Sequence, residues 1–430
     1  MQQKLLLTRQ WTFLLLVFLS SVLLGACTDE CTSTITYTAY EPVYMTKTEL
    51  RSSVQVEPAR TLQKPGKIYA YGDYLFINEQ LAGIHIIDNS NPAAPQRISF
   101  LAIPGNVDMA VKGNTLYADN YIDLVVLDIT NPKAVTLKKR VEDVFSINNS
   151  STAVQAETFI ATYKEKKVTE PLTGSDCDSN FPRVMLSDGI ANGSFQSNMA
   201  MPRSAIPSGK GGSMARFTIT GDHLYTVGMS SLQLFDIAEE ANPRKGALIQ
   251  LGWGIETIFP YQDKLFIGST TGMHIYDNSN PASPAWMSTY AHVRSCDPVV
   301  VDGNLAWVTL RSGNACAGFT NQLEVIDISN PRSPQLLKTY PMQHPHGLGI
   351  DGSTLFLCEG AFGLKVFDIK NPLQVADKQL MHLKDQHSYD VIPLGTILLM
   401  IGEDGLYQYD YSNPSALKLI SKISVSPAKS

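Results

Sequence analysis

The stretch GLKVFDIKNP, from Gly363 to Pro372, reads as small, apolar, polar, apolar, apolar, then an aspartate and a turn closed by Asn-Pro. Six further segments share this pattern. The seven aligned aspartates are Asp88, Asp128, Asp236, Asp277, Asp327, Asp368 and Asp410. Four of the six spacings between them are 40 to 42 residues, and the other two are 108 and 50 residues. The chain is therefore an array of one repeated unit with two insertions.

Each unit contains more than the aspartate strand. A second strand precedes it, such as DYLFIN (Asp73 to Asn78), and most of these strands follow a Gly, Asp or Asn turn typical of hairpins. An apolar strand lies upstream of that turn, and a fourth follows Asn-Pro. Four strands at a period of about 41 residues predict an all-β fold, a seven-bladed β-propeller of four-stranded blades over residues 65–425.

The motif LEVIDISNP and its six relatives resemble the LVIVD-repeat family of bacterial β-propeller proteins. The resemblance covers roughly residues 65–425 apart from one insertion. It implies the propeller fold and no particular activity.

The repeated aspartate is predicted to be structural. A carboxylate at a strand end can accept N–H bonds from the next turn, and the proline fixes that turn. Seven copies at equivalent positions point around a ring, whereas an active site needs groups that converge.

The first 26 residues resemble a bacterial lipoprotein signal peptide. A short basic region precedes the apolar stretch from Trp11 to Ala26, which ends in LLGAC like a lipobox. By that resemblance Cys27 is the lipidated first residue of the mature chain, and residues 27–64 tether the propeller to outer-membrane lipid. The acidic pair Asp29 and Glu30 is similar to surface-export signals of Bacteroidota lipoproteins, so display at the cell surface is a second expectation. The alternative is an ordinary secretory signal.

The bulk composition narrows the classes of function. The net charge is −6, which gives no basic face for nucleic acid. No H-E-x-x-H, G-x-S-x-G, C-x-x-C or EF-hand motif is present, and no cofactor is predicted.

The two irregular spacings hold the insertions. The longer insertion spans about residues 146–213, between blades two and three, and its SGKGGS segment is interpreted as a flexible connection on the face of the channel mouth. The shorter one contains Cys316, and the predicted topology brings it to Cys296, so a Cys296–Cys316 disulfide is expected. The pairing of Cys31, Cys177 and Cys358 is left open, although Cys358 looks like a core strand residue. The segment Arg51 to Glu57 is expected to add a strand to the closing blade.

The inner strands of the blades begin together at the mouth of the central channel, so polar residues there are the candidate binding site. These residues are Lys67, Asp108, Arg216, Glu256, Asp297, His344, His346, His387 and Asp390. They can instead simply pair with one another, since buried charges need partners. The three histidines raise the alternative of a metal site, but their spacing is not diagnostic.

The sequence thus predicts a lipid-anchored cell-envelope module that binds a ligand, such as a glycan, or an envelope protein. Two alternatives stay open. One is an envelope enzyme that acts on a glycan through Asp108, Glu256 and Asp297. The other is a structural subunit of an outer-membrane assembly.

Overall fold

The computed structural model describes residues 34–145, 157–171, 209–295, 298–313 and 320–426. Seven four-stranded antiparallel blades form a ring, as the repeat predicts. None of the helices in the described ranges has the length and apolar character needed to span a bilayer. The residues that bear on the lipid anchor and the predicted disulfide, namely Cys27, Cys296 and Cys316, lie outside the described residues, as do Cys31 and Cys177.

Three elements precede blade one, and an insertion separates blades two and three. The chain begins with β1 (Thr34–Thr46), α1 (Lys47–Ser52) and β2 (Gln55–Pro58). Blade one contains β3 (Pro65–Tyr71), β4 (Tyr74–Glu79), β5 (Gly83–Asp88) and β6 (Gln96–Ala102). Blade two contains β7 (Met109–Lys112), β8 (Thr115–Asn120), β9 (Asp123–Asp128) and β10 (Thr136–Val141). The insertion contributes β11 (Thr158–Pro171) and β12 (Lys210–Gly211). Blade three contains β13 (Phe217–Thr220), β14 (His223–Val227), β15 (Ser231–Asp236) and β16 (Arg244–Gln250).

The remaining four blades follow the same plan. Blade four contains β17 (Ile255–Tyr261), β18 (Lys264–Ser269), β19 (Gly272–Asp277) and β20 (Ala285–Ala291). Blade five contains β21 (Val299–Asp302), β22 (Leu305–Leu310), β23 (Gln322–Asp327) and β24 (Gln335–Pro341). Blade six contains β25 (Leu348–Asp351), β26 (Thr354–Cys358), β27 (Leu364–Asp368), a 3-10 turn (Val375–Lys378) and β28 (Gln379–Leu383). Blade seven contains β29 (Asp390–Leu394), β30 (Ile397–Gly402), β31 (Gly405–Asp410) and β32 (Lys418–Ser424).

The repeated aspartate has the structural role predicted for it. In all seven repeats its Oδ1 accepts the backbone N–H of the residue two positions later, at 2.8 to 2.9 Å. In blade two, for example, the bonds from Thr130 lower the pKa of Asp128 to about 2. The carboxylate therefore fixes the turn that leads into the outer strand.

The Asn-Pro of the same turn has a second role, between blades. Across six blade boundaries in the described part of the chain, a side chain of one blade donates a hydrogen bond to the carbonyl oxygen of the motif proline in the next. The donor and acceptor residues are Ser99 and Pro132, Lys139 and Pro243, Tyr225 and Pro281, Ser288 and Pro331, Tyr340 and Pro372, and Ser421 and Pro92. We call this contact the proline latch. It positions each blade against the next around the ring.

The expectation that residues 51–57 extend the closing blade is wrong. Arg51 belongs to α1, and β2 pairs antiparallel with β6 at the outer edge of blade one. The ring is instead closed by the latch from Ser421 and by a parallel bridge between Leu62 and Val425. The chain just before blade one therefore joins the last strand of blade seven.

Helix α1 is short but well anchored. Thr46 and Glu49 form a reciprocal capping box at its N-terminus, and Leu50 is fully buried against Ile122 and Phe159. The side chain of Arg51 donates to the buried carboxylate of Asp123 in blade two at 3.1 Å. Apolar packing and an ion pair thus bind this part of the N-terminal segment to the ring.

The chain divides into a large unit, which contains the ring, and a small one. Among described residues, the small unit consists of residues 34–43 and 162–171, the N-terminal part of β1 and the C-terminal part of β11. Exposed polar contacts join these strands, including Thr36 with Thr169 at 2.9 Å and Lys166 with Glu41 at 2.6 Å.

Candidate functional site

The candidate site is the channel mouth, the end of the ring axis at which the inner strands begin. Of the nine residues predicted there, Asp297 lies outside the described residues. The other eight comprise an ion pair at blades one and two, Arg216 and Glu256, three histidines, and a buried aspartate in blade seven.

The ion pair joins Lys67 to Asp108. Their Nζ and Oδ2 atoms are 2.8 Å apart, and both side chains are almost fully buried. The same Oδ2 also accepts the backbone N–H groups of Arg216 and Phe217, and Oδ1 accepts the N–H of Met109 at 2.7 Å. Burial lowers the pKa of Lys67, and Asp108 opposes that shift. Asp108 is thus engaged by its own chain on both oxygens, which argues against a catalytic role.

Asp119, at the end of β8, is a mouth residue that the sequence reasoning missed. Its Oδ1 accepts the backbone N–H groups of Val107 and Asp108 at 2.8 and 2.9 Å, and Asn106 Nδ2 at 2.8 Å. Burial raises the pKa of Asp119 to about 6, although the residue keeps some solvent contact. The repeat aligns the starts of the inner strands, whereas Asp119 lies where a second strand ends at the mouth.

Arg216, Glu256 and the unpredicted Arg311 are partly exposed at the mouth. The carboxylates of Asp119 and Glu256 attract the guanidinium of Arg216, and Glu256 also attracts that of Arg311. Acidic and basic groups therefore alternate around this side of the mouth. Such alternation lets each charged group be balanced by a neighbour of opposite sign, as a structural ring of polar residues requires.

Two of the three histidines lie together, and the third pairs with a different residue. His346 is buried with both ring nitrogens 3.0 and 3.1 Å from Arg311 Nη1, and its Nε2 lies 3.2 Å from His344 Nδ1. His387 instead pairs with Glu403 at 2.7 Å. Burial, and then the charge of Arg311, lower the pKa values of His344 and His346. Within the described ranges, no group of three or more His, Cys, Asp or Glu side chains is placed to hold a metal ion.

Asp390 marks where the insertion enters the site. Its Oδ1 accepts the N–H of Val391 at 2.6 Å and that of Ser213 at 3.4 Å, and burial raises its pKa. The Oγ of Ser213 in turn accepts the N–H of Leu348 at 2.9 Å. Cys358, on the neighbouring blade six, is a buried thiol in β26, in keeping with its expected place in the core.

The described end of the insertion packs against the inner strands that line the channel, so the interpretation of SGKGGS as a flexible connection is wrong for residues 209–213. β12 pairs antiparallel with β3, placing Lys210 opposite Ala70 and Gly211 opposite Tyr69. The N–H groups of Gly209 and Gly212 donate to Val111 and Ile68 carbonyls, both at 3.3 Å. We call residues 209–215 the plug.

The plug also contacts blade seven, which adjoins blade one, and the carbonyl oxygen of Ala215 accepts the N–H of Ile258 in blade four at 3.0 Å. The Nζ of Lys210 donates to the carbonyl of Pro393 in blade seven, and burial lowers the pKa of Lys210 to about 8. A Cβ on Gly212 would lie 1.8 Å from Asp390 Oδ2, and one on Gly209 would lie 2.0 Å from the Tyr69 ring. The glycines that suggested flexibility are therefore needed for close packing.

The loops around the mouth carry large apolar side chains exposed to solvent. Leu81 lies in a loop of blade one and Phe362 in a loop of blade six. Trp253 lies between blades three and four, and Val293 between blades four and five. The hairpin turns at the opposite face have polar tips such as Asp263 and Asp302. These four side chains are accessible to a partner at the mouth face.

Comparison with known families agrees with this architecture. The LVIVD repeat profile matches residues 65–99, 105–143, 263–292 and 294–341. The chain contains LVIVD repeats. The matched repeats lie in blades one, two, four and five, and blades three, six and seven have the same strand order.

Solved structures show likeness in fold alone. Sqt1 of Saccharomyces cerevisiae is 8% identical, with 90% of this chain and 89% of that chain covered at a TM-score of 0.50. A functionally unknown protein from Desulfotomaculum acetoxidans is 12% identical, with 82% and 95% covered at 0.49. BamB from Moraxella catarrhalis is 8% identical, with 89% and 97% covered at 0.47. No curated protein matches the sequence.

Proposed function

We propose that this LVIVD-repeat propeller is a lipid-anchored interaction module of the bacterial cell envelope and that its mouth face binds another envelope protein. The observation that carries the proposal is the plug, because residues 209–215 are bound to the inner strands that line the channel, where a small ligand of a propeller would otherwise sit. The exposed side chains of Trp253, Val293 and Phe362 remain available around it.

The alternative of a glycan-cleaving enzyme has less support. Such an enzyme needs an acid and a base with free oxygens on either side of one bond. Asp108 is held by Lys67 and by three backbone N–H groups. Asp119 has a pKa suited to proton transfer, but its Oδ1 is bound to the loop before β7.

The anchor is supported by the sequence LLGAC, in which Leu24, Gly25 and Ala26 precede Cys27. Acylation with two or more chains gives a stable attachment to a membrane, and the outer membrane is the expected one. Asp29 and Glu30 extend the proposal to the cell surface. Protease treatment of intact cells distinguishes that location from the periplasmic side.

Two measurements test the proposal. Cells grown with a labelled fatty acid should label the wild-type protein and a Cys31→Ser control, and should not label Cys27→Ser; label retained in Cys27→Ser would refute the anchor.

Thermal melts with metals, glycans and peptidoglycan fragments should show no shift in melting temperature, whereas a ligand at about 100 times its Kd adds about 2.7 kcal/mol to the free energy of unfolding. A shift that disappears in Asp119→Asn would instead assign the mouth to a small ligand.

A further inference from the structure

The outer strand of each blade is a sheet edge, and in blade one that edge is covered. β2 pairs antiparallel with the last four residues of β6, from Pro58 opposite Ser99 to Gln55 opposite Ala102. These four residues follow a bulge in β6, after which the strand is regular. The outer edge of a blade in this ring can therefore accept an additional antiparallel strand.

Blade four has the same edge without a covering strand. Ser288 corresponds to Ser99, because each pairs with the isoleucine two residues before the motif aspartate, Ile275 or Ile86. Each also donates the proline latch to the next blade at 2.7 Å. Residues 288–291 are thus equivalent to residues 99–102, and no strand among the described residues pairs with their outer side.

The uncovered edge of blade four also lacks the usual protection. Proteins guard such edges with charged residues, especially lysine, or with proline, or keep them short. The other uncovered outer strands have these features: Lys138, Lys139 and Arg140 in β10, Arg244 and Lys245 in β16, Lys338 and Pro341 in β24, Lys418 and Lys422 in β32, and five residues only in β28. The sequence of β20, AWMSTYA, has no charge and no proline.

An exposed tryptophan adds apolar surface to this edge. Trp286 in β20 is 61% exposed, and its Nε1 donates to Thr289 Oγ1 at 3.3 Å. Trp286 pairs with the residue before the motif aspartate, Tyr276. At the same register position blade three has Lys245 and blade one has Arg97. Blade four therefore has an aromatic ring where blades one and three carry a cation, blade six has a glutamine, and blades two, five and seven have a leucine.

From this edge we infer that a second copy of the chain docks on blade four, with β20 of one copy antiparallel to β20 of the other. A two-fold axis at Thr289 places Thr289 opposite its own copy and Ser288 opposite Tyr290 of the partner subunit, because directly opposite residues of an antiparallel pair share a face. When β20 pairs with β20 of a second copy, no like charges meet, because the strand is uncharged. A lysine-bearing outer strand would instead be repelled by the same strand of a second copy. The contact is isologous and closes at a dimer.

This inference rests on blade four alone and stands apart from the proposed anchor and mouth face. It is tested by sedimentation velocity of the full chain in detergent over a concentration series. The wild-type protein should form a dimer as its concentration rises. Thr289→Lys should raise the dimer dissociation constant by about tenfold or more, since it places like charges opposite each other at the axis, and Trp286→Lys should weaken the dimer by removing the apolar ring from the edge.

The fold itself accepts lysine at these register positions, in blade seven at Lys422 and in blade three at Lys245. Thr339→Lys, at the position of Thr289 in blade five, is the matched control and should dimerise like the wild type. A wild-type protein that stays monomeric at every concentration would overturn the inference. So would a Thr289→Lys protein that melts and dimerises like the wild type.

Discussion

The Oγ of Ser421 donates a hydrogen bond of 2.6 Å to the carbonyl oxygen of Pro92, which lies 329 residues earlier in the chain. The same contact joins Ser99 to Pro132 and Ser288 to Pro331 inside the ring. Blade seven is thus attached to blade one by the contact that also joins consecutive blades, and Gln408 Nε2 adds a bond of 3.2 Å to the same carbonyl.

Ser421→Ala should therefore destabilise the ring at its closure. Loss of one partly buried hydrogen bond costs about 1 kcal/mol, and Gln408 retains some of the contact. Urea unfolding should show a lower midpoint for Ser421→Ala. The exposed Ser424, in the same strand, gives the control Ser424→Ala, which should unfold like the wild type. Equal midpoints for both variants would show that the latch does not stabilise the closure.

Gly212→Ala should test whether the plug is packed into the channel. The added Cβ would lie 1.8 Å from the Oδ2 of the buried Asp390, so the plug or blade seven must shift. A cost of about 1–3 kcal/mol is expected from overpacking. Gly246→Ala is the matched control, because its Cβ would meet Leu234 at an ordinary 3.4 Å. If calorimetry gives both variants the wild-type melting temperature, the plug is loosely held.

Two aspartates of blade two should give stability changes of opposite sign with pH. Burial raises the pKa of Asp119 from 3.8 to about 6, so the folded state holds a proton that the unfolded state has released between these values. The contribution of Asp119 is fully present below about pH 4 and is lost as the pH rises through 6. As the pH rises from about 4 to 6, the free energy of unfolding of Asp119→Asn should therefore fall less than that of the wild type.

Asp128 supplies the comparison. Bonds from Thr130 lower its pKa from 3.8 to about 2, so its contribution is present above about pH 4 and is lost as the pH falls towards 2. Asp128→Asn should be less stable than the wild type at pH 7 and approach it in acid. Denaturant midpoints from pH 3 to 7.5 check both variants. Parallel curves for Asp119→Asn and the wild type would contradict the raised pKa of Asp119.

The ring could be predicted from the sequence because the same local motif occurs once in each of the seven blades. The motif aspartate, the turn and the alternation of core residues are local signals, and they predict the bonds from Ser90, Thr130 and their equivalents. The plug has no such local signal. Its glycines look like a linker until Tyr69 and Asp390, far away in sequence, are placed beside them.

The mouth could be predicted in part for a related reason. The starts of the inner strands are aligned by the repeat, so Lys67 and Asp108 could be placed together. Asp119 and Arg311 come from second strands, and their role depends on how those strands end in three dimensions. The pairing of β2 with blade one rather than blade seven likewise depends on the path of the chain around α1.

The measurement that most directly tests the proposed interaction face is site-specific photo-crosslinking in cells. A photoreactive residue at Trp253 or Phe362, on the mouth face, should give a discrete adduct with another envelope protein. The same residue at Asp263 or Asp302, in exposed turns of the opposite face, should give none. Adducts from the Asp263 and Asp302 positions alone, or from no position on the ring, would contradict the account.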